Sequence, residues 1–259
     1  MTDLPGLDVP TAAAWDTLVG ELDRWRQAGE AAALWWRDDD AVAATPRLER
    51  LLSLAGATPL GLAVIPALAR PDLSELLANA PQVAVLQHGW RHANHAEFGK
   101  KSEYPEGRAG AIVADEVAAG RGRLAALFGD RFLPIFVPPW NRIAPEFRNL
   151  LTGLGVKAIS TMAAVRSRPM PSTGLSVIDV HIDLVAWRKQ RRFLGTDAAL
   201  GELIFYLRMQ RLGGVRGPIG VLTHHLVMDD AAAVFMEQLL ALTSEHCGAE
   251  WISVGRLLQ

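Results

Sequence analysis

The stretch VAVLQHGWRHANH, residues 83–95, places three of the seven histidines of the chain directly behind a short apolar run. The run VAVLQ has the length and the branched apolar side chains of a buried strand. Because histidine is scarce in the rest of the sequence, its concentration at the end of a strand indicates a functional site at that position.

Other strand-like runs also end in unusual polar residues. In parallel α/β folds the carboxyl ends of the strands lie at one edge of the sheet and surround the ligand site. Six of the seven histidines lie in such clusters, which scattered core or surface histidines would not do. The further clusters are Asp38-Asp39-Asp40 after ALWWR, Trp140-Asn141 after FLPIFVPP, His181 and Asp183 at the end of LSVIDVHID, and His224-His225 after GVLT.

Strand-like runs alternate with helix-like segments along most of the chain. Apolar residues at three- and four-residue spacing predict helices, and short apolar runs predict strands. About eight strands that alternate with helices predict an α/β domain with a parallel sheet, either open or closed into a barrel. The predicted strands are residues 31–36, 60–65, 83–87, 132–137, 156–160, 175–182, 218–223 and 251–254.

The composition limits the class of protein. A chain of 259 residues with 50% hydrophobic residues can bury a large core, and a formal net charge of −2 argues against a nucleic-acid partner. The single cysteine, Cys247, is compatible with a reducing compartment. The N-terminal residues lack the pattern of a signal peptide, and no apolar run approaches the roughly 20 residues that cross a membrane. We therefore expect a cytoplasmic protein with no membrane partner, and the oligomeric state stays open.

The spacing of His88 and His92 suits metal binding. If the chain turns helically after the strand, residues four apart lie on one face and both imidazoles can share an ion. The zincin pattern does not apply, because Gly89 stands where that pattern needs glutamate. His95 is a third ligand, a substrate contact or a surface residue, and surface is the expected place.

Three consecutive aspartates cannot all be buried and ionised, because like charges at that density repel. They either lie in a solvated loop or bind a divalent cation, which would stabilise one carboxylate and leave a neighbour free as a base. Helix capping does not require them, because Thr45 already precedes Pro46 at a predicted helix start.

At the other strand ends, His224 is a candidate acid or ligand, and His225 is expected to be a hydrogen-bonded core residue. Trp140 is either a site residue or part of the core.

The motifs, taken in chain order, resemble the polysaccharide deacetylase family, which shares the NodB homology domain and forms carbohydrate esterase family four. The resemblance implies a single-domain, distorted (β/α) barrel of seven or eight strands, formed by residues 31–259, with residues 1–30 as a helical extension packed on it. The matching segments are RDDDA (37–41), HGWRH (88–92), VPPWN (137–141), VIDVHID (177–183) and LTH (222–224), with Thr45-Pro46 in the first helix.

The same resemblance implies a metal-dependent hydrolase of carbon–nitrogen or ester bonds that removes an acyl group, acetyl being the expected one, from a sugar or small metabolite. A divalent metal, expected to be zinc, would be held by Asp40, His88 and His92. Asp39 would be the general base and His224 the general acid. The expected substrate is a small molecule or oligosaccharide, and the expected contacts with it come from Trp140, Asn141, Arg37, His181, Asp183 and His225.

Two departures from the family pattern leave alternatives open. The family has two acids before a glycine, whereas three acids precede Ala41 here, so the roles could move back to Asp38 as base and Asp39 as ligand. The family's arginine in the third motif falls at Val137, and either Arg37 or Arg142 must replace it. If neither does, the chain is an inactive barrel that binds a sugar or metabolite. Asp183 or Asp179 is expected to orient His224.

Overall fold

The computed structural model describes residues 11–163, 174–188, 191–213 and 217–258. Helices in these ranges are α1 (Thr11–Gln27), α2 (Pro46–Ala55), α3 (Pro71–Leu77), α4 (Gly110–Phe128), α5 (Phe147–Gly153), α6 (Thr196–Arg211) and α7 (Asp230–Glu245). Strands are β1 (Ala32–Ala41), β2 (Leu60–Val64), β3 (Val83–His88), β4 (Phe132–Val137), β5 (Ala158–Ile159), β6 (Ser176–Val177), β7 (Ile182–Asp183), β8 (Val185–Ala186), β9 (Arg192–Phe193), β10 (Ile219–Thr223) and β11 (Ala249–Trp251).

The main sheet is parallel and has the order β6-β5-β4-β3-β2-β1-β10-β7, with β11 beside the start of β1. Its two edge strands, β6 and β7, belong to one continuous segment. Ile178 donates a backbone hydrogen bond to Ile159 in β5, and His181 donates one to Gly220 in β10, so this segment bridges the two edges. The sheet therefore curls into the predicted distorted (β/α) barrel.

Most of the predicted strands are present, with three differences. The last strand, predicted at 251–254, instead spans Ala249–Trp251 and is followed by a 3-10 helix that begins at Val254. The run 175–182 is divided into β6 and β7, because its first half pairs with β5 and its second half with β10. The antiparallel hairpin β8–β9 was not predicted, because its strands are only two residues long and carry no alternating apolar pattern.

Side chains of β1 alternate between two apolar layers. Leu34 and Trp36 pack in the layer between sheet and helices, whereas Trp35 packs inside the barrel with Leu86 and Leu222. Burial of each large side chain stabilises the fold by about 1.5–3 kcal/mol. The next inward position in this column belongs to Arg37, which is fully buried. The inward-facing positions of β1 thus change from apolar to charged as the strand approaches the carboxyl end of the barrel.

Local capping sets where the covering helices begin. Thr45 accepts a hydrogen bond from the Leu48 amide at the start of α2, and Asp229 accepts one from the Ala232 amide at the start of α7. Such caps are each worth about 1 kcal/mol. The polar residues of the loops before these helices are therefore held close to the ends of β1 and β10.

Helix α1 packs on α6. Its buried Glu21 is paired with Arg208 and Arg211, which offsets the cost of removing the carboxylate from water. Residues 1–10 of the expected helical extension lie outside the described residues. No helix within the described ranges combines the length and the apolar character needed to span a membrane.

Candidate active site

A bulge near the end of β1 brings two adjacent carboxylates to one cavity. In a regular strand Asp39 and Asp40 would face opposite sides of the sheet. Asp40 instead has φ +73°, and the pairing of β1 with β2 shifts register between Asp38 and Ala41. Aspartate tolerates this left-handed conformation better than most residues. Both side chains therefore line the same cavity, of about 900 Å³, at the carboxyl end of the barrel.

Asp40 lies between two imidazoles. Its Oδ1 atom is 3.1 Å from Nε2 of His88 and 3.4 Å from Nε2 of His92. The potential ligand atoms of the three residues all lie within 4.8 Å of one another. Nδ1 of His88 faces the Val137 carbonyl at 3.0 Å, and because that oxygen can only accept, this nitrogen carries a proton and Nε2 points into the cavity. One carboxylate and two imidazoles with an open side fit a catalytic zinc-type site.

Charge coupling within this cluster is visible in the pKa values. Burial alone raises the pKa of the Asp40 carboxyl, but the imidazoles of His88 and His92 lower it far below its ordinary value. Burial alone lowers the pKa of His88, but the Asp39 and Asp40 carboxylates raise it above its ordinary value. The cluster thus keeps Asp40 ionised, which is the state that a metal ligand requires.

Arg37 binds Asp39 in the barrel interior. Its Nη2 donates to Oδ2 of Asp39 at 2.9 Å, and its Nε forms an ion pair with Oδ1 at 2.9 Å without the alignment of a hydrogen bond. Its remaining donors reach Ser160 Oγ and Asn141 Oδ1, each at 2.7 Å. Arg142 instead donates to the Lys101 carbonyl. Of the two arginines considered from the sequence, Arg37 is therefore the one that contacts Asp39.

Asp38 faces away from the cavity. It accepts hydrogen bonds from Thr223 Oγ1 at 2.7 Å and from the His225 amide at 2.9 Å, and it faces Nδ1 of His225. Burial alone lowers the pKa of His225, but the Asp38 carboxylate raises it above its ordinary value. Asp38 and His225 thus tie the end of β1 to the end of β10.

His224 lies across the cavity from the metal-type cluster. Its Nε2 is 4.0 Å from Asp39 Oδ2, and its Nδ1 is 3.8 Å from Asp183 Oδ1. Within the described residues this buried Nδ1 has no hydrogen-bond partner. Trp187 of the β8–β9 turn packs edge-on against the ring and donates to Asp183 Oδ2 at 2.7 Å. Burial raises the pKa of Asp183. Asp179, the other aspartate considered as a partner, accepts from Thr161 instead.

Three of the expected substrate contacts, Arg37, His181 and His225, do not line the cavity, and Arg37 is fully buried beneath it. His181 accepts a hydrogen bond from the Gly220 amide, packs against Tyr206 of α6, and has its pKa lowered to about 4 by burial. His225 is held by Asp38, as described above. Regular alternation of inward and outward side chains along a strand does not predict the orientation of His181. Val180 packs inside the barrel, whereas Ile182, two positions on, packs against the helices.

Trp140 and Asn141 line the cavity in a strained turn. Both have positive φ, near +56°, which non-glycine residues adopt mainly where the surroundings enforce it. The Trp140 ring lies 4.3 Å from the His92 ring, so it is part of the site wall rather than remote core. The Asn141 side-chain oxygen is occupied by Arg37, which leaves only its amide nitrogen for a ligand.

Sequence reasoning missed two buried side chains that support the site. Ser160 accepts from Arg37, and its position directly after a predicted strand was a usable signal. Glu103 accepts from the backbone amides of Trp90 and Arg91, at 3.1 and 2.7 Å, and so shapes the turn between the two histidines. No sequence pattern distinguishes Glu103 from the exposed acids of the same loop.

No family model matches the chain, and no curated protein matches it significantly in sequence. Solved structures match in fold. A Mycobacterium smegmatis protein described as a polysaccharide deacetylase has a TM-score of 0.65 at 15% identity, over 88% of this chain and 89% of that chain. An allantoinase has a TM-score of 0.60 at 14% identity, over 88% and 89%. A family 4 acetyl xylan esterase from Clostridium thermocellum, in complex with a cobalt ion, has 0.54 at 13% identity, over 87% and 89%. The chain therefore has the fold that these deacetylase and esterase structures share.

Proposed function

We propose that the protein is a divalent-metal-dependent hydrolase that removes an acyl group, acetyl being the expected one, from an amide or ester of a sugar or small metabolite. The main support for this proposal is that two adjacent carboxylates line one cavity but contact different partners. Asp40 lies beside two imidazoles, and Asp39 is held by Arg37. Proteins of the same fold include a described polysaccharide deacetylase and an acetyl xylan esterase with a bound cobalt ion, which supports acyl hydrolysis.

Asp40, His88 and His92 would hold the metal, for which zinc is the expected ion. When bound there, a divalent ion supplies a Lewis acid for the acyl oxygen and lowers the pKa of water towards about 7. The three residues offer one ligand atom each and leave the side facing the cavity open. The remaining chemistry falls to the neighbouring side chains.

Asp39 accepts the proton of the attacking water. Its carboxylate is buried, and the guanidinium of Arg37, which does not line the cavity, forms an ion pair with it. A carboxylate held in this way keeps its orientation, which general-base catalysis requires. Ser160 and Asn141 in turn hold the guanidinium, so the base rests on a rigid network.

His224 donates a proton to the leaving nitrogen or oxygen as the bond to the acyl carbon breaks. Its Nε2 faces the cavity near Asp39, while Nδ1 faces Asp183 on the other side of the ring. Asp183 faces the Nδ1 side of the ring, and the contact with Trp187 limits the rotation of the ring. The proton that Asp39 takes from water and the proton that His224 gives to the leaving group balance the reaction.

The alternative, an inactive barrel that binds a sugar or metabolite, was motivated by Val137 at the position of the family's arginine. The contact between Arg37 and Asp39 supplies a guanidinium to the same carboxylate from another strand. This contact favours the hydrolase over the inactive barrel.

Acetate release tests the proposal. Chelator-stripped protein reloaded with zinc should hydrolyse members of a panel of N- and O-acetylated sugars and small amides, and stripped protein should not. Asp39→Asn should lower the rate by about 10²- to 10⁴-fold, because an amide cannot accept the proton. Asp230→Asn, an exposed acid paired with Arg50, is the matched control and should keep full activity. Hydrolysis that survives both chelation and Asp39→Asn would contradict the proposal.

A further inference from the structure

The mouth of the cavity is lined by cationic side chains. Lys101, Arg142, Arg188 and Arg191 border it, and all but the half-buried Arg142 are exposed. The acids of the same cavity, Asp39, Asp40 and Asp183, lie deeper and are engaged with Arg37, the two imidazoles and Trp187. Because the chain as a whole has a formal charge of −2, this cluster does not follow from a basic composition.

At three of these four positions no described acidic side chain pairs with the cation. Among the described residues, no carboxylate lies within ion-pairing distance of Lys101, Arg142 or Arg191, whereas remote exposed arginines such as Arg50 and Arg256 are each paired. Contacts with the protein also fix the positions of two of these side chains. Arg142 donates to the Lys101 carbonyl at 3.0 Å, and the Lys101 ammonium lies over the Trp140 ring, 6.0 Å from its centroid.

The β8–β9 hairpin contributes a further cation to the mouth of the cavity. Its strands pair Ala186 with Arg192, and its turn carries Trp187 against His224. Arg191 lies in that hairpin with φ +51°, a conformation that is unfavourable for arginine unless the local chain direction requires it. The hairpin therefore contributes Arg191 to the cavity lining from a different segment of the chain than Lys101 and Arg142.

We propose that the substrate carries a carboxylate or phosphate group outside its scissile acyl group, and that Lys101, Arg142 and Arg191 bind this anion. Guanidinium groups recognise both anions through paired hydrogen bonds. A cleft lined by one sign of charge also concentrates ligands of the opposite sign. This inference rests on the proposed function for the identity of the scissile bond, but not for the binding of the anion.

Matched substrate pairs test the inference. The pairs are N-acetylglucosamine 6-phosphate with N-acetylglucosamine, and N-acetyl-L-alanine with N-acetyl-L-alaninamide, so that phosphate and carboxylate are separated. For at least one pair, kcat/KM of the anionic member should be higher by about tenfold or more at low salt, and the preference should shrink in about 0.5 M salt.

A double variant and a matched control locate the effect. Arg142→Gln with Arg191→Gln should remove most of the preference, because it should lower kcat/KM of the anionic member far more than that of the neutral member. Arg50→Gln with Arg256→Gln removes two exposed arginines elsewhere and should leave the preference intact. Equal kcat/KM for both members of both pairs in the wild-type protein would overturn the inference while leaving the hydrolase proposal standing.

Binding separates the two proposals. Calorimetric titration of the zinc-loaded Asp39→Asn protein should show tighter binding of the anionic member of a pair than of the neutral one. The same titration with metal-free wild-type protein replaces it if the variant does not fold. Preferential anion binding without acetate release from any substrate would support the inference and contradict the hydrolase. No preference for the anion in either titration would overturn the inference.

Discussion

Asp39 and Asp40 are neighbours in sequence but have different surroundings. Asp39 contacts a buried guanidinium, which fixes the direction of its carboxylate. Asp40 sits in a left-handed backbone conformation with two imidazole nitrogens within 3.4 Å. A carboxylate already held by a guanidinium is poorly placed to bind a cation, whereas one flanked by imidazoles suits that role. The surroundings therefore favour Asp39 as base and Asp40 as ligand.

Arg37 gives the first prediction. Arg37→Met should abolish measurable hydrolysis and lower the free energy of unfolding by about 3–5 kcal/mol, because it leaves the buried Asp39 carboxylate unpaired. Urea unfolding and acetate release measure the two effects. Arg37→Lys keeps the charge but loses the planar fork, and should fall between wild type and Arg37→Met in both measurements.

Arg142→Met is the control for that prediction. Arg142 lies at the cavity mouth and does not contact Asp39, so this variant should unfold at the same urea concentration as wild type and hydrolyse a neutral acetylated sugar at the same rate. If Arg142→Met were the inactive variant and Arg37→Met the active one, the assignment of the supporting arginine would be reversed.

Sequence reasoning reached the residue types of the site but not all of their partners. The motif spacing pointed to His88, His92 and one carboxylate of the Asp38-Asp39-Asp40 triplet, because local strand ends determine where they lie, but it left open which carboxylate is the ligand. Choosing between Arg37 and Arg142 required knowing which side of β1 faces the barrel interior. The orientation of His181 required knowing where a segment changes its partner strand, and that depends on long-range pairing.

The turn between His88 and His92 is the element on which the proposed metal site depends. Gly89 has φ +57°, and a Cβ atom there would overlap with the Glu103 carboxylate and the Pro139 ring. Glu103 is buried and accepts hydrogen bonds from successive amides of the turn. The turn thus holds His92 near Asp40 through a side chain that does not itself reach the cavity.

We predict that Glu103→Ala lowers zinc affinity by about 10- to 100-fold, the range typical of residues that orient metal ligands. Zinc competition with a chelating dye measures this change. Glu103→Gln keeps one acceptor oxygen and should retain more of the affinity. Glu106→Ala, in the same loop but exposed, is the control. Wild-type zinc affinity in Glu103→Ala would show that the turn does not need its carboxylate.

At the level of elements, most of the barrel followed from the sequence. Strands β2, β4 and β10, together with the first parts of β1 and β3, are nearly continuous apolar runs, because both faces of a parallel barrel strand are buried. The hairpin β8–β9 has no such run, yet it carries Trp187 against His224. Short elements of this kind depend on contacts with the rest of the fold, which local sequence patterns do not report.

Across the whole molecule, His181 should couple stability to acid pH. Its folded pKa of about 4 lies below its ordinary value of 6.5, because the ring is buried. The unfolded chain therefore binds the proton more readily, so this contribution is complete above pH 6.5 and is lost as pH falls towards 4. His181→Asn can still accept from the Gly220 amide without titrating. Urea unfolding from pH 4 to 6.5 should show a shallower pH dependence for this variant, and an unchanged slope would contradict the prediction.

Glu202 of α6 should act in the opposite direction. Burial, and then the nearby Asp183 carboxylate, raise its folded pKa from 4.5 to about 7. The folded protein holds this proton more tightly, so the contribution is complete below pH 4.5 and is lost as pH rises towards 7. Glu202→Gln should therefore become more stable relative to wild type as pH rises from 4.5 to 7. A constant difference between the two proteins across that range would show that Glu202 does not titrate in this way.

The metal content of the three single aspartate variants tests directly whether Asp40 is the carboxylate that binds the metal. Asp38→Asn, Asp39→Asn and Asp40→Asn are loaded with zinc, dialysed, and analysed by elemental analysis alongside circular dichroism. We predict about one zinc per chain in folded Asp38→Asn and Asp39→Asn, and almost none in folded Asp40→Asn, because a neutral amide oxygen is a poor ligand for a divalent ion. An Asp39→Asn protein without zinc, together with a fully loaded Asp40→Asn protein, would contradict it.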